Sequence, residues 1–476
     1  MNLVRDRIPG LILKIALPAS IGYFFNTMFN VVDTYFAGRL STDALAALSL
    51  SFPLFMLILA VGVGIGSGTG ALVANSLGAG DHRRAAMYQA QALSSAAAAT
   101  LIIGVPLFVS LEPILRLFNA EGAVLEGAVG YMRVIYGGGI FIVLAHTLNA
   151  GLQARGITKV FRNFLILGFL LNIGLDPIFM FGLTIGGPGI FGSPGIFGGP
   201  EIFGGSGGAA GEAITLIPRL EEAGVGLATV LVHVVGVWWV ARALVQNGGL
   251  AGCRPADFIP RRSWVKEIAG QSIPAGLNFL TIALGAFVIN YFVSRFGRDA
   301  VAAYGTALRI EQIALLPTLG LNIALASMVG QNNGAGRLDR VKSSYHTSLL
   351  FAFGAMLLIL TPVILFAPTL LGIFTDTAEV IRIGKIYLYI QVLTFFSYIV
   401  LNQSNSVLQG LKRPGMIMWV GVYRQLIAPF IVFPLFIGPV GLDLHGLWWG
   451  LVAVNWSAAL WILLWTVRRL KCAGAK

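Results

Sequence analysis

The sequence predicts an all-α integral membrane protein whose twelve transmembrane helices form two six-helix lobes. Three observations lead to this prediction: an apolar composition, a dozen long apolar runs, and a repeat that relates the two halves of the chain. Hydrophobic residues make up 57% of the 476 residues and charged residues only 11%, with a mean hydropathy of +0.82. A soluble domain carries about 25% charged residues. Because so few charged side chains cannot cover a water-facing surface, lipid must be the solvent for most of this chain.

The apolar runs are long enough to cross a membrane as helices. A spanning helix needs about 20 mostly apolar residues, whereas a barrel would show short segments of alternating hydrophobicity. The runs in this sequence are continuously apolar, so helices are predicted. The twelve predicted spans cover residues 11–37, 45–74, 85–110, 127–153, 159–183, 223–245, 267–294, 301–330, 343–367, 381–408, 414–437 and 446–467.

The basic residues are distributed unequally between the two sides of the predicted membrane. The formal net charge is +12, from 32 basic and 20 acidic residues. If the N-terminus is placed inside, 22 of the basic residues lie in cytoplasmic segments and 8 in the opposite loops. The positive-inside rule therefore predicts that both termini are cytoplasmic, and it explains the basic excess without a nucleic acid partner. Cys253 and Cys472 fall on the same side, where no disulfide is expected.

The two halves of the sequence match each other at a constant offset of 256 residues. The matched pairs include Pro18 with Pro274, Gly78 with Gly334, Tyr131 with Tyr387, Asn149 with Asn405 and Gln153 with Gln409. Since each half holds six predicted spans, both halves enter the membrane in the same orientation, as a parallel repeat does. We therefore assign residues 1–245 to an N-lobe, 246–266 to a cytoplasmic linker and 267–476 to a C-lobe, with a cavity between the lobes.

One segment interrupts the repeat. Residues 186–210 are rich in Gly and Pro, which disfavour a helix at this density. We expect an external loop between the fifth and sixth spans. It is either a flexible insertion, or an external lid or a contact with another protein.

Ionisable side chains within spans are candidates for function, because each costs about 2.5–3.5 kcal/mol on insertion scales. Asp33 lies in the first span, and Asn26 and Asn30 share its helix face at the spacing i, i+4 and i+7. Tyr23 extends that face. In the C-lobe, Glu311 is the acidic residue deep within a span, and it is predicted either to line the cavity or to pair with another helix.

A second polar set lies in the fifth and sixth spans. Asp176 follows Asn172 by one helical turn, and Pro177 favours a kink beside the carboxylate. Thr229 and His233 form a further polar pair. Since a carboxylate removed from water holds its proton more tightly, more so beside a second one, the N-lobe polar faces predict a proton or cation site. The alternative is a polar network that only joins helices.

Other motifs restrict the possible functions. Gly62, Gly64, Gly66, Gly68 and Gly70 alternate along the second span and predict close helix packing. The sequence has no Walker A loop, no HExxH motif and no Cys/His metal cluster, so we predict neither ATP hydrolysis by the usual route nor a metal or other cofactor. Transport energy would then come from an ion gradient or from the substrate's own gradient.

Several motifs taken in order point to a known family. They are Asn30-Val31-Val32-Asp33 leading to Ala37-Gly38, the Gly-Ala-Gly after the second and eighth spans, Leu152-Gln153-Ala154-Arg155-Gly156, and Asn172-Ile173-Gly174-Leu175-Asp176-Pro177. Together they resemble the multidrug and toxic compound extrusion (MATE) family, and in particular its DinF-like prokaryotic branch. The resemblance covers nearly the whole chain except residues 186–210.

The resemblance implies a V-shaped monomer of two six-helix lobes in a prokaryotic cytoplasmic membrane, in contact with lipid. Such a protein is not an enzyme; it exports small amphipathic, often cationic compounds by antiport against protons or sodium. The family's N-lobe cation site would fall on Asp33, Asn172, Asp176 and Thr229. The substrate-cavity candidates are Tyr23, Asn26, Asn30, Asn149 and Glu311.

The sequence departs from the sodium-coupled NorM-like branch, which has acidic residues in the seventh and tenth spans. The corresponding positions here are Ile282 and Tyr398, which favours proton coupling through the N-lobe and leaves sodium open. A flippase for a lipid-linked precursor is the alternative function. An anionic headgroup would call for several basic residues in the spans, and only Arg309 and Arg424 lie there. The remaining alternatives are an intramembrane enzyme with an aspartate dyad and a channel. The sequence shows no charged ring of the kind that channels use for selectivity.

Overall fold

The fold is known from a computed structural model that describes residues 1–185, 214–438 and 441–473. In this part of the chain, twelve helices are long and apolar enough to cross a membrane. Each coincides with one of the predicted spans, so the predicted number and order of spans are confirmed. The predicted loop 186–210 lies outside the described residues.

The helices of the two lobes follow one another in the same order. The N-lobe contains α1 (Ile8–Leu40), α2 (Thr42–Gly78), α3 (His82–Val109), α4 (Leu111–Leu117), α5 (Gly122–Gln153), α6 (Lys159–Phe181) and α7 (Glu222–Gln246). The C-lobe contains α8 (Arg262–Val293), α9 (Arg298–Gly334), α10 (Leu338–Leu365), α11 (Ala367–Gly372), α12 (Ala378–Gly410), α13 (Gly415–Val422), α14 (Ala428–Ile437) and α15 (Asp443–Ala473). The short helices α4 and α11 do not span, while α13 and α14 form one span that is joined by a π-helical turn at Tyr423–Ile427.

The repeat in the sequence is also a repeat of helix boundaries. The second helix begins at Thr42 in one lobe and at Arg298 in the other, and the third begins at His82 and at Leu338. Both pairs are 256 residues apart, the offset found in the sequence. The same amino acid pattern has therefore produced the same element twice, and the predicted pair of six-helix lobes is confirmed.

The correspondence ends after the fifth span of each lobe, where the N-lobe carries the longer connection. Two short strands, β1 (Leu183–Ile185) and β2 (Ile214–Ile217), pair antiparallel in that connection. This hairpin was not predicted from the sequence. The hairpin brings the two described ends of this connection together between α6 and α7.

The alternating glycines of α2 let it pack closely on two sides. A Cβ atom at Gly64 would lie 2.8 Å from the Cα atom of Gly276 on α8, in the other lobe. On the opposite side, a Cβ atom at Gly66 would lie 3.2 Å from the carbonyl oxygen of His146 on α5. A side chain at Gly64 would require a backbone to shift, and one at Gly66 would fit only tightly. The predicted close packing is therefore observed, and α2 lies at the contact between the lobes.

The N-terminal segment, residues 1–7, docks on the C-lobe. Leu3 is 1% exposed, and its carbonyl oxygen accepts a hydrogen bond of 3.1 Å from Nδ2 of Asn332 on α9. The guanidinium of Arg340 on α10 donates to the carbonyl oxygen of Asp6 at 2.7 Å. The chain that leads into the first helix of the N-lobe is thus held by the other lobe.

The segment that leads into α8 docks on the N-lobe in a similar way. Nε2 of Gln91 on α3 donates to the carbonyl oxygens of Asp257 and Ile259 at 2.6 and 2.8 Å. The Asp257 carboxylate accepts from the backbone N–H of Arg254 at 2.9 Å and forms an ion pair with Arg83 at 2.7 Å. These two contacts hold the pKa of Asp257 below its usual value.

Candidate functional site

The N-lobe brings three of the predicted residues into one buried cluster. Asn172 and Asp176 lie one turn apart on α6, and Asp33 reaches them from α1, which packs against α6. Nδ2 of Asn172 donates to Oδ1 of Asp33 at 2.9 Å and to Oδ1 of Asp176 at 3.0 Å. Asp33 is 8% exposed and the other two side chains are fully buried. One amide therefore bridges two carboxylates inside the lobe.

The cluster has unused hydrogen-bonding capacity. Oδ2 of Asp176, Oδ1 of Asn172 and Oγ1 of Thr229 are buried and have no partner among the described residues. Thr229 lies on α7 and is 2% exposed, but its hydroxyl is not hydrogen-bonded to either carboxylate. Its carbonyl oxygen instead contacts Nδ1 of His233 at 2.8 Å. The three free oxygens could accept hydrogen bonds from a protonated carboxyl group or from a ligand.

The charge of the pair is not balanced by a basic side chain. Neither Asp33 nor Asp176 forms an ion pair with any Lys or Arg of the described chain. In the same residues, no group of three or more His, Cys, Asp or Glu side chains is arranged to hold a metal ion. The cluster is thus a pair of uncompensated acids that one amide connects.

Tyr131 is a neighbour of this cluster that the sequence analysis did not select. It lies on α5, is 8% exposed, and is close enough to Asp33 and Asp176 to interact with their charges. Its repeat partner Tyr387 donates a hydrogen bond of 2.9 Å to Oε2 of Glu311. The aligned pair of tyrosines in the repeat could have pointed to these two positions, because in each lobe a buried acid lies near the same tyrosine position.

A second polar cluster surrounds Glu311 in the C-lobe. Glu311 is 6% exposed on α9 and pairs with α12 through Tyr387 instead of lining the central cavity. The guanidinium of Arg424, in the π-helical turn, lies 5.6 Å from the ring centroid of Tyr398 and donates to Oδ1 of Asn455 at 3.0 Å. Glu311 and Arg424 are therefore each held by polar or aromatic neighbours.

A cavity of about 270 Å³ lies between the lobes. Two of the predicted cavity residues, Tyr23 and Asn149, line it. Asn26 and Asn30 are exposed on α1 away from this lining, with Nδ2 of Asn30 donating to the Asn26 carbonyl oxygen at 2.8 Å. Among the described lining residues there is no Asp, Glu, Lys or Arg, and the ionisable side chains are Tyr23 and His146.

The lobes meet beyond this cavity, at the face that bears the N-terminus. Asn75 on α2 donates through Nδ2 to the carbonyl oxygen of Gly410 at 2.8 Å, and its Oδ1 accepts from Asn333 at 2.6 Å. Gln331, the repeat partner of Asn75, donates to the carbonyl oxygen of Ala154 at 2.7 Å. Since Gly410 and Ala154 are also repeat partners, the repeat forms the same inter-lobe contact twice.

The helix ends beside these amides leave no room for side chains. A Cβ atom at Gly78 would overlap the carbonyl oxygen of Gln331, and one at Gly334 would overlap that of Asn75. These two glycines are repeat partners as well. We call Asn75, Gln331, Asn333, Gly78 and Gly334 the inter-lobe gate, which is closed in this structure.

Comparison with known proteins agrees with this architecture. The family model described as MatE matches residues 18–178 and again residues 274–433, which together are more than half of the chain. The two matches begin at Pro18 and Pro274, so they reproduce the offset of the repeat.

Solved structures share the whole fold. A MOP superfamily transporter from Pyrococcus furiosus, described as having a binding pocket of reverse polarity, superposes with a TM-score of 0.86 at 25% identity and covers 99% of this chain and 98% of its own. An outward-facing multidrug resistance MATE family transporter also gives a TM-score of 0.86 at 25% identity, covering 100% of this chain and 98% of its own.

Curated relatives are membrane transporters too. The FAD transporter of Shewanella oneidensis is 26% identical over 82% of this chain and 79% of its own length. The probable multidrug resistance protein NorM of Thermotoga maritima is 25% identical over 95% of this chain and 91% of its own. From the matched family model and the shared fold, this chain belongs to the MATE family and is a multi-pass membrane transporter, not an enzyme.

Proposed function

We propose that the chain is a secondary active exporter that exchanges amphipathic or cationic organic compounds for protons at Asp33 and Asp176. The observation that carries the proposal is the single amide of Asn172 bridging two buried carboxylates. Two adjacent negative charges away from water repel each other and lose their hydration. A proton that binds to the pair relieves both costs, so proton binding and release change the energy of this lobe.

The surroundings of the pair favour protons over sodium as the coupling ion. Asn172 directs its two N–H groups at the carboxylates. These partly positive groups would repel a metal cation bound there but are compatible with a proton shared by the carboxylates. A protonated Asp176 could donate to one of the buried oxygens that have no partner, on Asn172 or Thr229. A sodium ion would need several of these oxygens turned toward one point.

The central cavity supports a cationic or neutral substrate. A flippase for an anionic lipid headgroup would need basic side chains along its path, and the described lining of the cavity has no Lys or Arg. The likeness to a FAD transporter makes a flavin a second substrate to test, because its ring system carries hydrogen-bonding edges that amides can recognise. Its phosphates, however, would meet no fixed positive charge in this cavity.

The proposal also covers the orientation of the chain in the membrane and its oligomeric state. The excess of basic residues on one side supports cytoplasmic termini in a prokaryotic inner membrane. In that orientation the closed inter-lobe gate would face the cytoplasm, as expected of an outward-facing state. We infer that the monomer transports, since both proposed sites are formed within one chain.

The test is efflux of a cationic dye from membrane vesicles under an imposed pH gradient or an imposed sodium gradient. We expect efflux with the pH gradient alone, and its loss in Asp33→Asn and in Asp176→Asn. Asp299→Asn is the matched control, because Asp299 is exposed at the start of α9 and its substitution removes the same charge.

Two outcomes would contradict the proposal. Efflux that requires sodium and ignores the pH gradient would exclude proton coupling. Unchanged efflux in both Asp33→Asn and Asp176→Asn would exclude the carboxylate pair as the coupling site.

A further inference from the structure

An acidic pocket lies in the N-lobe at the face opposite the N-terminus, where α1 ends and α7 begins. Its volume is about 360 Å³, and three carboxylates line it, from Asp43 on α2, Glu126 on α5 and Glu222 on α7. Asp43 and Glu126 are exposed, whereas Glu222 is only 9% exposed. In the proposed orientation this face is the external one, so the pocket gives Glu222 access to the outer solution.

Glu222 is buried without a partner for its charge. Among the described residues, it forms no ion pair and no hydrogen bond with another residue. Arg219, the basic side chain in the described lining of the pocket, pairs instead with Glu221 at 3.2 Å. The carboxylate lies against Gly127 of α5, where an added Cβ atom would be 2.8 Å from Cδ of Glu222. A buried charge without a partner is costly, and a proton that binds to Glu222 removes the charge.

Two helix faces lead from the acidic pocket to the carboxylate pair. On α7, Glu222, Gly226 and Thr229 follow one another at the spacing i, i+4 and i+7. On α1, Leu40 lines the pocket and Asp33 lies seven residues earlier on the same face. Seven residues of helix rise by about 10.5 Å. Both helices therefore place the pair about two turns below the pocket.

Tyr131 lies at the level between the pocket and the pair. On α5 it follows Gly127 by one turn, and an added Cβ atom at Gly226 would be 3.4 Å from Cδ2 of its ring. The same side chain is close enough to Asp33 and Asp176 to interact with their charges. Because a tyrosine hydroxyl both donates and accepts hydrogen bonds, it offers a polar step on an otherwise apolar path.

We propose that Glu222 is the residue through which external protons enter the N-lobe and reach Asp33 and Asp176. Its carboxylate takes one proton from the outer solution and becomes neutral. The carboxyl group then gives up that proton toward the pair and is charged again, while the Tyr131 hydroxyl accepts one proton and releases another. The two exposed acids of the pocket raise the local concentration of cations at its mouth. This inference rests on the proposed function, because it requires the pair to bind protons.

The experiment measures proton uptake by the purified full chain in lipid nanodiscs, with a pH-sensitive dye, after rapid mixing with acid. In each background, the uptake that Asp33→Asn/Asp176→Asn removes is the signal of the pair. Glu222→Gln keeps the size of the side chain but removes its proton-binding group. Glu121→Gln is the matched control, since Glu121 is exposed at the start of α5, at the same face, and does not line the pocket.

We expect Glu222→Gln to slow proton uptake by the pair at least about tenfold, with the final amount unchanged. Azide, a small weak acid that can carry protons into the pocket, should restore most of the rate, and the same concentration of chloride should not. Glu222→Asp should keep most of the rate, and Glu121→Gln should behave like the native chain. A negative residue at the start of a helix also stabilises that helix, but the loss of such a role would not respond to azide.

Two results would overturn the proposal: an unchanged rate in Glu222→Gln, or a reduced rate that azide does not restore. If Glu222→Gln does not fold, Glu222→Ala allows the same comparison. If Asp33→Asn/Asp176→Asn takes up protons like the native chain, the pair is not the proton site, and the proposed function fails together with this inference. If the pair takes up protons at a rate that does not depend on Glu222, the entry residue alone is wrong.

Discussion

Replacing Asn75 by alanine should open the inter-lobe gate. The Asn75 side chain is the only gate residue of the described chain that both donates and accepts a hydrogen bond across the lobes, to the Gly410 carbonyl and from Asn333. Alanine makes neither bond and leaves the partner groups unpaired in the closed arrangement. When the lobes separate at this face, water can reach those partners, so the variant is penalised in the closed state alone.

The magnitude follows from the two lost contacts. A neutral hydrogen bond contributes about 0.5–1.5 kcal/mol net, so the loss of two shifts the balance by about 1–3 kcal/mol toward the open state. Such a free energy corresponds to a change of about 5-fold to 150-fold in the ratio of open to closed molecules. Gln331→Ala removes one inter-lobe bond, to the Ala154 carbonyl, and should shift the ratio by about half that free energy.

Distances between spin labels on the two lobes can measure this shift. His82 and Asp339 are exposed near the starts of α3 and α10, at the same face as the gate. Cysteines at these positions carry the labels, after the free Cys253 and Cys472 are replaced by serine. The native chain should give one short distance, and Asn75→Ala should add a population at longer distance.

The control is Asn247→Ala. Asn247 is exposed and its Nδ2 bonds only to the Ala243 carbonyl oxygen of its own helix end, at 2.8 Å. This substitution removes an asparagine side chain but no hydrogen bond between the lobes. The reasoning would be refuted if Asn75→Ala gave the same distance distribution as the native chain and the Asn247 control.

Three further predictions concern other contacts. Gly78→Ala should also populate the longer label distance, because its Cβ atom would overlap the Gln331 carbonyl oxygen in the closed state; an unchanged distribution would contradict this. Tyr387→Phe should lower the free energy of unfolding by about 1–3 kcal/mol, since it leaves the buried Glu311 carboxylate without that donor, and a thermal melt in detergent would show it. The pKa of Asp257 is lowered in the folded chain, so its contribution to stability is complete above the ordinary aspartate value of about 3.9 and is lost as the pH falls through the lowered value. Asp257→Asn should therefore melt at a lower temperature at neutral pH, with a weaker decrease in acid; identical pH profiles would refute the role of this carboxylate.

The helical architecture was predictable because its cause is distributed over many residues. Each span rests on about 20 apolar positions, so single exceptions such as Asp33 do not obscure it. The repeat was detectable for the same reason, as many separate matches share one offset. The Asp33, Asn172 and Asp176 cluster was foreseeable because polar faces within an apolar lobe have to meet one another.

The inter-lobe gate could not be predicted from the sequence. Asn75 and Gln331 bind backbone carbonyl oxygens, which every residue possesses, and so their partners leave no signature in the amino acid sequence. The exposure of Asn26 and Asn30 was likewise not predictable from their spacing. They share a helix face with Asp33 but remain exposed, because the depth at which neighbouring helices cover a face is set by packing and not by periodicity.

The partner of Glu311 depended on tertiary structure as well. The sequence left open whether this side chain lines the cavity or pairs with another helix. Its hydrogen-bond partner Tyr387 is 76 residues further along the chain. The π-helical turn at Arg424 has no sequence rule that would have located it. Glu311 and Arg424 both bond to helices that the linear pattern does not place beside their own.

The docking of residues 1–7 on the C-lobe has a consequence for biosynthesis. Leu3 and its partner Asn332 are 329 residues apart, so at about 5–20 residues per second a ribosome needs roughly 16 to 66 s to make the second after the first. During this time Leu3 lacks the Asn332 side chain as its hydrogen-bond partner. Residues 1–7 can therefore be fixed on the C-lobe only after most of the chain has been made, and a chain that stops after the N-lobe lacks this contact.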